Sequence, residues 1–134
     1  MGFEVTAIER NPLIYMCLKI AESKALSQLS AVPQFILSES IDYLNTLEPG
    51  QFDVAYFDPM FPDKKKSALP KQEMVVFKNL VGSDEDAKDI IETACLKKLF
   101  KRLVVKRPLA AEAYLKPDGA IQGKIIRYDI YSSH

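Results

Sequence analysis

Apolar and polar residues change rhythm several times along this chain, and each change marks an element. Residues 3–8 alternate and are rich in β-branched side chains, which predicts a strand ending at Glu9. Asn11-Pro12 then supplies a capping side chain and a first-turn proline. Leu13, Met16, Cys17, Ile20, Ala21 and Leu29 recur near one face of a helix, so that face is expected to be buried. Pro33 breaks the pattern. Residues 34–37 read as a second short strand leading into Ser38-Glu39-Ser40, and residues 41–47 as a short helix closed by Pro49-Gly50.

The third strand, residues 52–57, ends abruptly in Asp58-Pro59-Met60-Phe61-Pro62. A loop is expected to about Pro70, then a helix over 71–80 stopped by Gly82. Ser83 and the acids Asp84, Glu85 and Asp86 open another helix, which runs to about Phe100 with Lys97 and Lys98 in its last turn. Leu103-Val104-Val105 reads as a fourth strand, ended by Lys106-Arg107-Pro108. Residues 120–122 and 124–131 look like two closing strands around Gly123. Strands alternating with helices predict one α/β domain, mainly parallel, with an antiparallel pair at its C-terminal end.

Composition narrows the functional classes. The chain has 134 residues, 48% hydrophobic and 27% charged, as expected of a single globular domain. Its formal net charge is zero, so any contact with nucleic acid must come from local patches. Lys64-Lys65-Lys66 and Lys106-Arg107 are the candidates. Cys17 and Cys95 are too sparse for a disulfide framework and read as buried small hydrophobes in a reducing, cytoplasmic setting. No apolar run approaches a membrane span, and the first residues lack signal-peptide character. The one histidine is His134, the last residue, which argues against histidine catalysis and histidine metal sites.

Candidate chemistry concentrates at the strand ends, where ligands of open α/β sheets bind. Glu9, at the tip of the first strand, suits ribose hydroxyls, or else simply caps the following helix. Glu39 and Ser40 suit an adenine pocket, or else cap a helix. Asp58 stands on a bend stiffened by Pro59, so its carboxylate and a free backbone carbonyl offer two acceptors. An exocyclic amine whose two N–H groups must both be held needs two acceptors. Phe61 adds a ring that can stack a base. Lys64, Lys65 and Lys66 in the same loop, and Lys106 and Arg107 at the end of the fourth strand, are expected phosphate contacts. The five glycines form no glycine-rich phosphate or cofactor loop.

Glu9-Arg10-Asn11-Pro12, the block from Tyr56 to Pro62, Lys65-Lys66-Ser67-Ala68-Leu69, Val104-Val105-Lys106-Arg107-Pro108 and Arg127-Tyr128-Asp129-Ile130-Tyr131 together resemble the bacterial ribosomal RNA small subunit methyltransferase J family, which are guanine-N2 methyltransferases. The likeness spans nearly the whole chain, in order. It implies a Rossmann-like sheet, S-adenosylmethionine as cofactor, 16S ribosomal RNA or the small ribosomal subunit as partner, and no metal or membrane. It places Glu9 and Arg10 at the cofactor's ribose and adenosine, Glu39 and Ser40 by the adenine, and Asp58 at both cofactor and target amine. The family also carries a glycine-rich cofactor loop ahead of the Glu-Arg motif, so this chain reads as the C-terminal part of such an enzyme. A sheet lacking its central strand is expected to expose edges that a second copy could cover. Two other readings stay open: an amino-methyltransferase for a DNA base or a protein glutamine, and a non-catalytic RNA- or nucleotide-binding piece.

Overall fold

Two short parallel strands and two helices build the first of two units, Met1–Thr46; the second is Leu47–His134. The structure, a computed structural model, describes residues 3–26, 31–60 and 85–133. The helix expected at 71–80, Gly82, Ser83, Phe61, Lys64, Lys65 and Lys66 lie outside the described residues.

In the first unit β1 (Thr6–Glu9) pairs in parallel with β2 (Gln34–Leu37), in the register Thr6 to Gln34 through Glu9 to Leu37. Pro33 has no N–H to give, so the ladder begins at Gln34 and β1 is shorter than its alternating sequence suggests. Between the strands runs α1 (Pro12–Ala25). The Oδ1 of Asn11 accepts from the backbone N–H of Leu13 at 2.9 Å and of Ile14 at 3.3 Å, and Pro12 fills the first turn, where no N–H is needed. Asn11→Ala is therefore expected to cost about 1 kcal/mol, read as a lower urea midpoint. α2 (Ser40–Thr46) follows β2 directly.

The buried face expected on α1 is corrected. Leu13, Met16, Cys17 and Ile20 point outward, whereas Ile14, Tyr15 and Leu18 are partly covered. Cys17 is thus exposed and not the buried hydrophobe expected, while Cys95 is partly covered. The reason lies in the helix itself, which is apolar on several sides, so spacing alone does not choose the face that meets β1 and β2.

In the second unit four strands form one sheet in the order β3 (Phe52–Phe57), β4 (Phe100–Pro108), β6 (Ile126–Ser132), β5 (Gly119–Gln122). β3 and β4 are parallel; β6 is antiparallel to both β4 and β5. Three strands therefore point one way and only β6 is reversed, the mainly parallel sheet with an antiparallel C-terminal pair that the pattern predicts. α3 (Ala87–Leu96) buries Ala87, Ile90, Ile91 and Ala94 on one side and packs on β4. With Leu99, Leu103, Val105 and Tyr131 they make the core. Lys97 and Lys98 lie just past the helix, not in its last turn, and Lys98 takes φ 50°, the left-handed turn that usually falls to glycine at a helix end.

β4 is three times the length expected. Residues 106–108, read as the loop ending the strand, are paired with Tyr128, Arg127 and Ile126 of β6. That extension decides which way Lys106 and Arg107 face.

Candidate active site

Within the first unit, the parallel register brings the carboxyl ends of β1 and β2 together. Oε1 of Glu9 accepts from the backbone N–H of Asn11 at 2.7 Å, so the carboxylate curls over the start of α1. Arg10 Nε lies 3.4 Å from Glu39 Oε2, and the backbone N–H of Ser38 reaches Glu9 O at 3.1 Å. Ser40 opens α2. Glu9, Arg10, Glu39 and Ser40 thus share one strand edge. A carboxylate at a strand tip is the acceptor to which ribose hydroxyls donate, so these residues fit an adenosyl group.

Within the second unit, Asp58 stands one residue past β3 with its side chain 45% exposed, while Pro59 behind it is buried. A buried proline on a bend fixes the backbone that carries the carboxylate. The ladder's last pair, Phe57 with Val105, sets the next residues, Asp58 and Lys106, side by side on the face that also carries Tyr56 and Val104. Lys106 Nζ lies 2.7 Å from Asp58 Oδ2. This hydrogen bond, above all, pushes the ammonium above its usual range. Across β4, Tyr128 is paired with Lys106 on the same face. Partial burial, and then the charge of Asp58, push the Tyr56 phenol up as well, so it stays neutral. Tyr56, Tyr128 and the Asp58–Lys106 pair form a cluster of two phenols and two opposite charges.

Lys106 was expected on a phosphate; its ammonium is instead on the candidate catalytic carboxylate. Arg107 is corrected outright. It faces the α3 side of the sheet, its side chain is 0% exposed, and Nη1 lies 3.1 Å from Asp129 Oδ2. A guanidinium enclosed there cannot reach a phosphate. Asp129 is equally buried and also holds Arg127, with Nε 2.7 Å from Oδ1 and Nη2 donating to Oδ2 at 3.4 Å. Both shorter contacts join opposite charges without hydrogen-bond alignment among the described residues. Sequence reasoning missed this triad and the tyrosines. The signal was an acid, Asp129, inside an alternating apolar strand, which calls for a buried cation opposite. Among the described residues no cluster of three or more metal-ligating side chains occurs, and no helix is long and apolar enough to cross a membrane.

Parallel strands with acids at their carboxyl tips, followed by one reversed strand set between its neighbours, define the class as a Rossmann-like methyltransferase fold. A family model described as "Putative SAM-dependent methyltransferase" matches residues 1–133, and the chain belongs to that family. Its curated relatives include the ribosomal RNA small subunit methyltransferase J of Bdellovibrio bacteriovorus, 43% identical over 98% of this chain and 52% of the relative. The protein of the same name from Marinobacter nauticus is 40% identical over 98% of this chain and 49% of the relative. The crystal structure of a SAM-dependent methyltransferase from Neisseria gonorrhoeae superposes with a TM-score of 0.66 at 27% identity, covering 98% of this chain and 56% of that one. The chain spans about half the length of the curated relatives it matches.

Proposed function

We propose that the complete protein transfers a methyl group from S-adenosylmethionine to the exocyclic N2 of a guanine in 16S ribosomal RNA, in the cytoplasm, and that this chain supplies the residues that hold the amine. The observation that carries the reading is the Asp58 carboxylate, presented to solvent on a buried-proline bend at the carboxyl end of β3. The relatives named for ribosomal RNA methylation support the substrate class.

When bound, S-adenosylmethionine supplies an electrophilic methyl group on a sulfonium. Glu9, Arg10, Glu39 and Ser40 would hold its adenosyl part. The guanine amine is a poor nucleophile because its lone pair is delocalised into the ring. Asp58 and the Pro59 carbonyl accept its two N–H bonds, which favours a pyramidal nitrogen with its lone pair turned toward the methyl. Transfer would form the N–C bond as the bond from sulfur to the methyl carbon broke, leaving the thioether as the departing group. The nitrogen then carries positive charge, which the adjacent carboxylate stabilises, and its surplus proton leaves through Asp58 to water. No strong base is needed, since the proton becomes acidic only as the bond forms. Phe61 stacks the base, and Lys64, Lys65 and Lys66 hold phosphates; these roles rest on the sequence.

The test is methyl transfer by the complete protein to three acceptors: unmodified small-subunit ribosomal RNA, DNA and protein. Label is expected in the RNA, recovered as N2-methylguanosine after digestion. Label confined to DNA or protein, or on another base atom, would overturn the proposal.

A further inference from the structure

We infer that Lys106 is a positioning residue for Asp58: it ties one carboxylate oxygen to the sheet so that the other is left for the amine. The inference rests on the proposed role of Asp58. It deepens that role by taking Lys106 out of phosphate recognition and into the reacting site.

Four observations support it. First, the ammonium is hydrogen-bonded to one carboxylate oxygen, Oδ2, at 2.7 Å, a contact that takes up one side of the carboxylate. Second, the two residues differ in rigidity. Asp58 lies beyond the last ladder pair of β3, whereas Lys106 sits in the interior of β4, paired with Tyr128 of β6 and next to Val105, which is paired with Phe57 of β3. The pair therefore transfers the definition of a central strand to a carboxylate on a bend, which is how a functional group is held within a fraction of an ångström. Third, two phenols flank the ion pair on the sheet face. Tyr56 and Tyr128 stand on the same sheet face, so the lysine stem is partly covered and its side chain is 34% exposed. Fourth, the charges balance. A carboxylate already neutralised by an ammonium attracts the weakly polar amine with little competition from bulk cations, yet it keeps two lone-pair directions on its other oxygen.

A phosphate contact and a positioning residue differ in what they change. A lysine on phosphate acts on RNA affinity, so its loss raises KM and lowers the salt slope by about one unit. A lysine that aims Asp58 acts on the bound complex, so its loss lowers kcat. Steady-state methyl transfer to unmodified small ribosomal subunits by the complete protein, wild type and variant, separates the two. For Lys106→Met, kcat is expected to fall about 100-fold, the scale of a 1 Å misplacement at a reacting centre. KM for the subunit should change less than about threefold and the salt slope should stay as it is. Lys106→Arg, which restores a cationic donor, is expected to recover most of the rate. Lys106→Gln offers a neutral donor on a shorter stem, and it should fall between the two. The double variant with Asp58→Asn should lose little more than Asp58→Asn alone, because both act on one interaction.

A raised KM with unchanged kcat and a smaller salt slope in Lys106→Met would overturn the inference in favour of a phosphate contact. Full activity of Lys106→Met beside an inactive Asp58→Ala would also overturn it, leaving the role of Asp58 intact. Full activity of Asp58→Ala would instead remove the reading of Asp58 on which the inference depends.

Discussion

Asp129→Ala is expected to destabilise the protein by about 3–5 kcal/mol, the range measured when one partner of a buried ion pair is removed. The side chains of Asp129 and Arg107 are both 0% exposed, and Arg127 is partly covered. One carboxylate is thus shared by two guanidiniums, Arg107 on the covered side of the sheet and the partly covered Arg127. Its removal leaves the Arg107 charge enclosed with no anion among the described residues. It also leaves two like charges on adjacent strands, since Arg107 and Arg127 are ladder partners. Arg107→Met should cost much less, because Asp129 then keeps Arg127 and a flexible apolar side chain fills the vacated space. The comparison separates charge from packing. Urea unfolding of the complete protein, followed by circular dichroism, measures both variants. Equal losses in the two, or a loss below about 1 kcal/mol for Asp129→Ala, would show that the triad is not enclosed as described.

The triad also shows where sequence reading stops. β2 and β3 were legible to the residue, because apolar runs bounded by Pro33, Ser38, Gly50 and Asp58 leave little freedom in where a strand starts and ends. The direction of the closing strands was legible too, since Gly123 marks the turn between them: its N–H bonds to Ile126 O at 2.8 Å, and a Cβ there would come within 3.3 Å of that same oxygen. β4 was not. Lys106-Arg107-Pro108 looks like polar punctuation, and only the tertiary pairing with β6 keeps these residues in the ladder. Once they are in it, the two-residue period sends Lys106 to the face of Asp58 and Arg107 to the opposite, covered face. Adjacent basic residues that look alike in the sequence therefore take unrelated roles. The covered face of α1 was illegible for a different reason. Leu13, Ile14, Met16, Leu18 and Ile20 are apolar on several sides of the helix, and periodicity cannot decide among sides that are equally apolar.

Asp58→Ala in the complete protein is expected to lower kcat by about 100- to 1000-fold, the loss typical of removing one preorganised electrostatic contact to a developing charge. Stability should change little. The carboxylate is 45% exposed and its partner, Lys106, is 34% exposed, so the freed ammonium turns to water and a surface pair of this kind contributes at most about 1 kcal/mol. Binding of the ribosomal RNA should change little as well, because the alanine removes no phosphate contact. Asp58→Asn is the sharper variant. It keeps the size of the side chain and one acceptor oxygen, but it places an NH2 where an oxygen stood. If Lys106 claims the remaining oxygen, that NH2 points at the N–H of the substrate amine, donor against donor. Its rate should then fall nearly as far as that of alanine. If the carboxylate merely supported the bend, asparagine would serve as well as aspartate and Asp58→Asn would turn over at close to the wild-type rate. The bend itself persists in both variants, because Pro59 and its burial hold it. Activity of Asp58→Asn within about threefold of wild type would therefore refute the amine-holding role without ambiguity from misfolding.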